Sequence, residues 1–508
     1  TSTVQEEVKA TVTHEPEAAA GGSASNGLLA IFIAGFLGGL VALLTPCVFP
    51  MIPLTVSFFT KQSGTRRQGI LKALGYGFSI ILIYVTLGLT VTVFFGSDAL
   101  NALASDIWFN LAFFVLLVVF GASFLGAFEI TLPSSWVNKM DAKSDRGGVL
   151  GIFFMAFTLA LVSFSCTGPI IGTLLVDAAT RGALLGPAIG MTGFSLALAL
   201  PFTLFAIFPG WLKSLPKSGG WLNSVKVVLG FLELAFALKF LSNVDLAYHW
   251  GLLDREVFLV LWISIFLMLG LYLIGTIRFS HDSPLAYLSV PRLFFAIAAF
   301  SFTFYLIPGL WGAPLKAVNA FLPPMASQDF DLSSAGGGHT AIATATEAVP
   351  ERKYADILHC PHNLNCFFDL EEGLAYAKKV GKPVMIDFTG HSCVNCRKME
   401  ATVWADAAVL QRLREDYVLI SLYVDDKTPL PAEEQYVSKF SGKKIKTVGN
   451  LWSDYQASTF NINSQPYYVL MDHDQTLLVP PTAYDPSVAK YIEFLDGGKQ
   501  VFEQKHSK

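Results

Sequence analysis

Long apolar runs separated by short polar loops make up the first part of the chain. Each run is long enough to cross about 30 Å of hydrocarbon as a helix. The pattern therefore predicts eight membrane spans, which lie roughly at 27–59, 70–95, 107–128, 149–176, 184–208, 221–241, 257–275 and 291–311.

The last part of the chain shows the shorter periodicities of a soluble α/β domain. Strand-like runs alternate with helical periodicity between residues 353 and 508, which predicts a central sheet flanked by helices. The predicted strands are 384–389, 418–425 and 467–472, and the predicted helices are 394–415 and 488–504.

Two polar segments flank the membrane part. Residues 1–26 are acidic and poor in bulky apolar side chains, so we expect a linker. Residues 313–352 are rich in Gly, Ala, Ser, Thr and Pro, which predicts a flexible tether with a root-mean-square reach of roughly 35 Å. The chain starts at Thr1 rather than Met and has no signal-type segment there. We therefore expect that a signal peptide and a further domain have been removed from its N-terminal side.

Charge separates the two parts of the chain clearly. Residues 27–312 hold 26 charged side chains in 286 positions, whereas residues 313–508 hold 43 in 196. The chain thus combines a membrane-embedded part at 27–312, with the lipid bilayer as its partner, and a soluble domain at 353–508. The net charge is −4 and no long basic run occurs, so no nucleic-acid partner is expected.

Lys and Arg in the loops predict the orientation, because positively charged short loops stay in the cytoplasm. The loops after spans 2, 4 and 6 hold only Arg181 and Arg255. The loops after spans 1, 3, 5 and 7, with their flanks, hold Lys61, Arg66, Arg67, Lys72, Lys139, Lys143, Arg146, Lys213, Lys217, Lys226, Arg278 and Arg292. Both termini and the soluble domain are therefore expected outside. In a bacterium this is the periplasm, where thiols need a supply of reductant.

The strongest chemical signal is the pair Cys393 and Cys396, which follows a strand and a short turn and opens a helix. A thiol at a helix N-terminus has a lowered pKa, because the helix dipole and free N–H groups favour the thiolate. The second thiol is near enough to resolve a mixed disulfide. The alternative is half of a zinc site, but His391, Cys360 and Cys366 lack the ligand spacing of such a site.

Two carboxylates and a proline accompany this pair. Asp387 ends the strand six residues before Cys393, and Glu400 lies one helical turn after Cys396, so we expect both beneath the thiols. A buried carboxylate there would exchange protons with the resolving thiol, whereas the alternatives are a capped strand end and a solvated helix face. Pro466 directly precedes a strand, where a cis peptide bond would leave the backbone open to an extended partner.

Two further cysteines stand in apolar spans beside prolines. Cys47 lies between Pro46 and Pro50, and Cys166 is followed by Pro169. Prolines remove backbone hydrogen bonds, so these helices should be broken where a cavity satisfies the freed groups. The alternative is that the cysteines are small packing residues and the prolines simple kinks. Because spans 1 and 4 are equivalent members of two three-span units of opposite direction, we expect two inverted three-helix repeats plus two helices.

Two features keep more than one interpretation. Cys360 and Cys366 flank a small loop, which suits a structural disulfide, an additional redox pair or a metal clip with His359 and His362. Glu233 in span 6 is either a functional group or a buried hydrogen-bonding group.

The soluble domain resembles thioredoxin, since Asp387 and the cysteine pair match the pattern DFxxxxCxxC, although an insertion at 429–450 lengthens it. Residues 27–508 as a whole resemble the DsbD family of bacterial transmembrane thiol:disulfide interchange proteins. The motifs that carry the resemblance are TPCVFPMIPL around Cys47, SCTGP around Cys166 and DFTGHSCVNCRKME around the pair. Ser165 stands where family members often have proline, so the resemblance does not decide whether span 4 bends at this point.

The resemblance implies a protein-disulfide reductase of the inner membrane that uses cysteine pairs and neither an organic cofactor nor a metal. Cytoplasmic thioredoxin would reduce a disulfide between Cys47 and Cys166, and these thiols would reduce the pair Cys393 and Cys396. The soluble domain would then reduce periplasmic thiol-disulfide proteins. The family's N-terminal relay domain would be either removed from this chain or replaced by a separate protein.

The alternative hypothesis is a protein that transports or handles copper. Cys47, Cys166 and the nearby Met51 would then be soft metal ligands, and the domain with the cysteine pair would be a metal chaperone.

Overall fold

The computed structural model describes the membrane helices in part and the soluble domain almost throughout. The predicted redox cysteines Cys47 and Cys166 lie outside the described residues, as do Pro46, Pro50 and Pro169. The described residues are 24–43, 66–104, 106–128, 156, 185–207, 219–279, 282, 287–328 and 352–507.

The apolar runs form helices, because a helix bonds all its backbone groups internally and so tolerates lipid. Asp106 begins the third helix by accepting a hydrogen bond from the N–H of Phe109 over 2.9 Å, and Gly275 ends the sixth in the left-handed conformation. The helices are α1 (Ala24–Ala42), α2 (Arg66–Ala104), α3 (Ile107–Phe124), α4 (Leu185–Ile207), α5 (Gly219–Tyr248), α6 (Arg255–Ile274) and α7 (Val290–Leu306).

Within the described ranges, five helical segments are long and apolar enough to cross a membrane, and they lie in α2, α3, α5, α6 and α7. The apolar segments of α1 and α4 are shorter. The predicted fourth span, 149–176, lies outside the described residues except for Ala156. The polytopic α-helical class is therefore confirmed, whereas the number of eight spans stays a prediction.

Glycines bring two of these helices together. A Cβ atom on Gly35 of α1 would collide with the carbonyl oxygen of Gly190 of α4, and one on Gly193 would collide with that of Phe32. The helices α2 and α4 also pack against each other, as do α3 and α5. They correspond to predicted spans 2 with 5 and 3 with 6, which are equivalent members of the two predicted repeats.

The first part of the predicted tether packs against the membrane helices. Leu315 and Leu322 are buried in an apolar cluster with Phe258 and Trp262 of α6. A guanidinium nitrogen of Arg255 donates to the carbonyl of Pro323 over 2.5 Å. The structure thus differs from the tether predicted to begin at residue 313, because the leucines among its small residues supply an apolar face.

The soluble domain is built on a mixed sheet. Its strands are β1 (Cys366–Phe367), β2 (Val384–Thr389), β3 (Val418–Tyr423), β4 (Tyr436–Val437), β5 (Lys444–Ile445) and β6 (Tyr467–Met471). Its helices are α8 (Leu370–Val380), α9 (Val394–Met399), α10 (Ala407–Glu415), α11 (Val448–Phe460) and α12 (Val488–His506). The main sheet has the order β1-β3-β2-β6, in which only β6 is antiparallel to its neighbour, and β4 and β5 form a separate pair.

Strand β2 is buried along its whole length and divides the core into two layers. Met385 belongs to the cluster that packs against α12, whereas Ile386 and Phe388 belong to the cluster on the opposite face. Successive side chains of a strand point to opposite faces, so Asp387 shares the face of Met385.

The helix predicted over 394–415 is interrupted. A single π-helical turn, Glu400–Trp404, follows α9. Asp406 then starts α10 by accepting hydrogen bonds from the N–H groups of Ala408 and Val409. The apolar periodicity continues through both helices, so it did not reveal the break.

Trp404 anchors the π turn in the core, where it is 1% exposed and its indole N–H donates to the Tyr491 hydroxyl over 3.0 Å. We expect Trp404→Ala to lower the free energy of unfolding of the soluble domain by about 3–5 kcal/mol, because a cavity remains and the Tyr491 hydroxyl loses its donor. Pulse proteolysis of the whole chain in urea and detergent measures this. Val437→Ala, at a side chain 60% exposed, is the control and should shift the free energy of unfolding by about 0.5 kcal/mol or less. Equal urea midpoints for both variants would contradict the prediction.

Candidate redox site

The cysteine pair lies at the N-terminus of α9, directly after the central strand. Cys393 is the N-cap of the helix, and the N–H of Cys396 donates to its sulfur over 3.1 Å. The two residues form a disulfide with their Cα atoms 5.3 Å apart. Cys396 is 2% exposed and Cys393 is partly exposed, so Cys393 presents the sulfur that an incoming thiolate can reach.

One carboxylate shapes the loop that carries the pair. Asp425 accepts hydrogen bonds from the N–H groups of His391 and Ser392 over 2.8 and 2.9 Å, and from the Ser392 hydroxyl over 2.8 Å. A Cβ atom on Gly390 would lie 2.9 Å from this carboxylate, so only glycine lets the chain pass so closely. The loop therefore holds Cys393 in a fixed place.

A buried group of charged side chains accompanies the pair. Arg397, the residue after Cys396, contacts Glu400 over 2.7 Å. Burial and then the charge of Glu400 raise the pKa of Asp387 to about 8, although Arg397 and a hydrogen bond from Ser421 lower it. Burial also raises the pKa of Glu400, to about 7, against the opposing effect of Arg397. At neutral pH, Asp387 therefore mostly keeps its proton and can still release it.

Pro466 lies at the same end of the sheet as the cysteine loop. The peptide bond between Gln465 and Pro466 is cis. In the antiparallel pairing of β6 with β2, Tyr467 lies opposite Phe388, which puts Pro466 beside the end of β2. The loop with the cysteines leaves β2 at this point.

The second pair of cysteines in the soluble domain is also a disulfide, with the Cα atoms of Cys360 and Cys366 5.8 Å apart. Ser421 donates to the sulfur of Cys366 over 3.6 Å, and it lies opposite Asp387 in the pairing of β3 with β2. His362, within the closed loop, bonds to the carbonyl of Glu400 over 2.7 Å. The loop thus packs beside the charged group, and the role of Cys360 and Cys366 stays a prediction.

The soluble domain contacts the membrane part beside the cysteine loop. The N–H of Lys427 donates to the carbonyl of Ala247, at the end of α5, over 3.1 Å. One carboxylate oxygen of Asp426 accepts from Nε2 of His249 over 2.8 Å and from Nε2 of His391 over 3.0 Å. Burial disfavours the charge of Asp426, but these two hydrogen bonds hold the pKa of its carboxyl below the usual range.

Among the described residues, two clusters bring three potential metal-ligand atoms within 4.8 Å of one another. They are His249 with His391 and Asp426, and Asp472 with His473 and His506. The ammonium group of Lys505 lies 2.7 Å from the carboxylate of Asp472, so a cationic group already stands in the second cluster.

The two carboxylates predicted for this site lie close to each other. Asp387 and Glu400 interact electrostatically, and their role at the cysteine pair stays a prediction. The contacts that Asp425, Asp426 and His249 make were not predicted from the sequence. A signal for the two aspartates existed, because they follow a strand parallel to β2 and so lie at the sheet edge where the cysteine loop begins. His249 follows a membrane span and had no such signal.

The membrane part of the predicted site is described only at its edges. Cys47 and Cys166 lie outside the described residues, so their pairing stays a prediction. Glu233 is 1% exposed within α5, and its function stays open.

Comparison with known proteins agrees with this architecture. Residues 28–244 match the family described as the cytochrome c biogenesis protein transmembrane domain, and residues 363–440 match a thioredoxin-like family. The chain is 30% identical over 417 residues to a thiol:disulfide interchange protein DsbD of Pseudoalteromonas atlantica, covering 80% of this chain and 62% of the relative. It is 31% identical over 403 residues to DsbD of Haemophilus ducreyi, covering 78% and 61%. The chain thus spans about three fifths of the length of these relatives.

The fold and the matches define a multi-pass membrane protein with a thioredoxin-like domain behind its transmembrane helices. The chain thus joins a DsbD-type transmembrane domain to a thioredoxin-like domain, and the curated proteins it is similar to carry the name thiol:disulfide interchange protein.

The raised pKa of Asp387 predicts a pH-dependent stability. Between about pH 4, the ordinary value of the unfolded group, and about pH 8, the unfolded chain loses this proton while the folded chain keeps it. Stability should therefore fall as the pH rises through this window. Asp387→Asn should flatten the slope and raise the free energy of unfolding at pH 8, on the order of a few kcal/mol.

Denaturant midpoints of the oxidised chain between pH 4 and pH 9 measure this effect. Asp496→Asn is the matched control, because Asp496 pairs with Arg412 on the surface, with its side chain 51% exposed. An Asp387→Asn variant with the wild-type slope would contradict the buried, protonated state.

A structural role for the second disulfide makes a testable prediction. We expect Cys360→Ala combined with Cys366→Ala to lower the free energy of unfolding by about 2 kcal/mol, because the closed loop has only seven residues. Reduction of Cys393–Cys396 by excess dithiothreitol should proceed at the wild-type rate, as measured by alkylation and mass spectrometry. A folded double variant whose remaining pair no longer exchanges would contradict a purely structural role.

Proposed function

We propose that this protein carries reducing equivalents from cytoplasmic thioredoxin across the bacterial inner membrane to periplasmic disulfide-containing proteins. The observation that carries the proposal is the place of the Cys393–Cys396 disulfide, on a fixed loop that contacts the end of membrane helix α5. The match to the DsbD transmembrane family and the names of the relatives support it.

The proposed chemistry is thiol–disulfide exchange between cysteine pairs. A thiolate of the reduced pair Cys47 and Cys166 attacks the exposed sulfur of Cys393, the bond to Cys396 breaks, and Cys396 leaves as a thiolate. The other membrane thiol then attacks the mixed disulfide and releases Cys393. Two electrons have moved, so the membrane pair is oxidised and the pair of the thioredoxin-like domain is reduced. The cysteines themselves are the redox groups.

Two carboxyl groups are proposed to handle the protons of this exchange. Asp387, with a pKa of about 8, can give its proton to the leaving thiolate of Cys396 and take it back when the domain reduces its own partner. Glu400 and Arg397 tune this acid electrostatically. Pro466, at the same sheet edge, is proposed to border the groove for the partner's extended chain.

The proposed topology puts the thioredoxin-like domain and both termini in the periplasm, as the distribution of Lys and Arg in the loops indicates. In the proposed organisation, residues 1–26 are a linker, 27–312 the electron-transferring membrane domain and 353–508 the thioredoxin-like domain. A tether between the two domains lets the latter leave the membrane, and an N-terminal relay domain or a separate protein accepts its electrons.

Single cysteine variants test the relay in cells. Cys47→Ala should leave Cys393–Cys396 oxidised, because the membrane pair no longer delivers electrons. Cys396→Ser should trap Cys393 in a mixed disulfide, because the resolving thiol is absent. Thiol alkylation after acid quenching measures both redox states. The variant without Cys360 and Cys366 is the control, because bands that are absent from it arise from the Cys360–Cys366 disulfide.

A thioredoxin-like pair that stays fully reduced in the Cys47→Ala cells would overturn the relay. The alternative, copper handling, predicts copper bound to the purified protein and a transport function that survives Cys396→Ser. Metal analysis of the same preparations therefore separates the two hypotheses.

A further inference from the structure

We propose that His249, Asp426 and His391 form a docking clamp, in which the C-terminal end of α5 is the binding surface for the cysteine loop of the thioredoxin-like domain. The inference rests on the proposed function, because it describes how the membrane domain receives the thioredoxin-like domain for reduction.

The end of α5 offers a backbone group that needs a partner. The last carbonyl groups of a helix have no partner within it. The thioredoxin-like domain supplies a donor for one of these carbonyls, because the N–H of Lys427 donates to the carbonyl of Ala247 over 3.1 Å. A backbone contact of this kind fixes the distance between the two domains independently of side-chain rotamers.

His249 then connects the helix end to the domain. It has a φ of 54°, the left-handed conformation that ends a helix and turns the chain away from its axis. An ionised carboxylate only accepts hydrogen bonds, so both histidines donate from Nε2 to the same oxygen of Asp426. The two imidazole rings meet edge to face, with their centroids 5.5 Å apart.

The clamp acts on the loop that carries the reactive sulfur. His391 stands two residues before Cys393, and its backbone N–H is held by Asp425. Asp426 therefore connects His249, on the membrane side, to His391, in the cysteine loop, through two hydrogen bonds. We infer that docking fixes the side of the loop that faces the membrane domain.

Each half of the clamp is held by hydrogen bonds within its own domain. The carboxylate of Asp245 accepts from the N–H groups of Leu252 and Leu253 over 2.8 and 3.1 Å, which holds the turn after His249. On the other side, Asp426 accepts from the N–H of Thr428 over 2.8 Å. Little conformational entropy is lost on docking, and the few polar bonds allow release.

Hydrogen exchange of the whole chain in detergent tests docking without electron flow. His249→Ala should speed exchange in peptides that include residues 425–428 by on the order of tenfold or more, since a charge-assisted hydrogen bond is lost. Peptides from β2 should exchange as in the wild type, which shows that the domain stays folded. His249→Gln keeps a side-chain N–H donor and should restore most of the protection.

His506→Ala is the matched control, since His506 lies on the exposed end of α12 and contacts Asp472 rather than the clamp. Unchanged exchange at 425–428 in His249→Ala would overturn the clamp. In the same preparations, excess reduced thioredoxin should reduce Cys393–Cys396 through the membrane domain at least several-fold more slowly in His249→Ala, whereas excess dithiothreitol should reduce this pair at the wild-type rate. If even the wild-type membrane domain fails to reduce this pair, the relay fails, while the exchange data still decide the clamp.

Discussion

Two neighbouring carboxylates, Asp425 and Asp426, hold the cysteine loop in its place. A buried anion is stable only where donors surround it. Here the donors come from the loop itself, through His391 and Ser392, and from the membrane part, through His249. The position of the Cys393–Cys396 disulfide relative to the membrane domain therefore depends on the hydrogen bonds that Asp425 and Asp426 accept.

The membrane imposes the second constraint. Helices satisfy their own backbone inside lipid, so unsatisfied groups collect where a helix ends. The end of α5 is such a place, and a backbone N–H of the thioredoxin-like domain meets it there. The apolar residues of 313–322 pack back onto α6, which shortens the chain available to let the domain move.

The sequence was informative where a single local pattern carries the structure. Uninterrupted apolar runs predicted the helices α2, α3, α5, α6 and α7, and β-branched and aromatic runs predicted β2, β3 and β6 within about two residues. The spacing of Cys393 and Cys396 after a strand predicted their place at a helix start, which the structure confirms.

Features that depend on contacts between distant residues were not predicted from the sequence. The break before α10 is capped by Asp406 within continuous apolar periodicity, and Leu315 and Leu322 are buried only because α6 lies beside them. The contact between His249 and Asp426 joins residues 177 positions apart, and no periodicity reports such a pairing. The membrane cysteines were predicted from prolines and family motifs, and their pairing is still a prediction.

The most direct test of the relay is electron delivery in a purified system. The whole chain in lipid nanodiscs is mixed with excess reduced thioredoxin, quenched in acid at intervals and alkylated, and mass spectrometry gives the redox state of Cys393–Cys396. The account predicts that the wild-type pair becomes reduced and that the pair in Cys166→Ala stays oxidised on the same timescale. Reduction of the pair at equal rates in both proteins would contradict it, because electrons would then bypass the membrane cysteines.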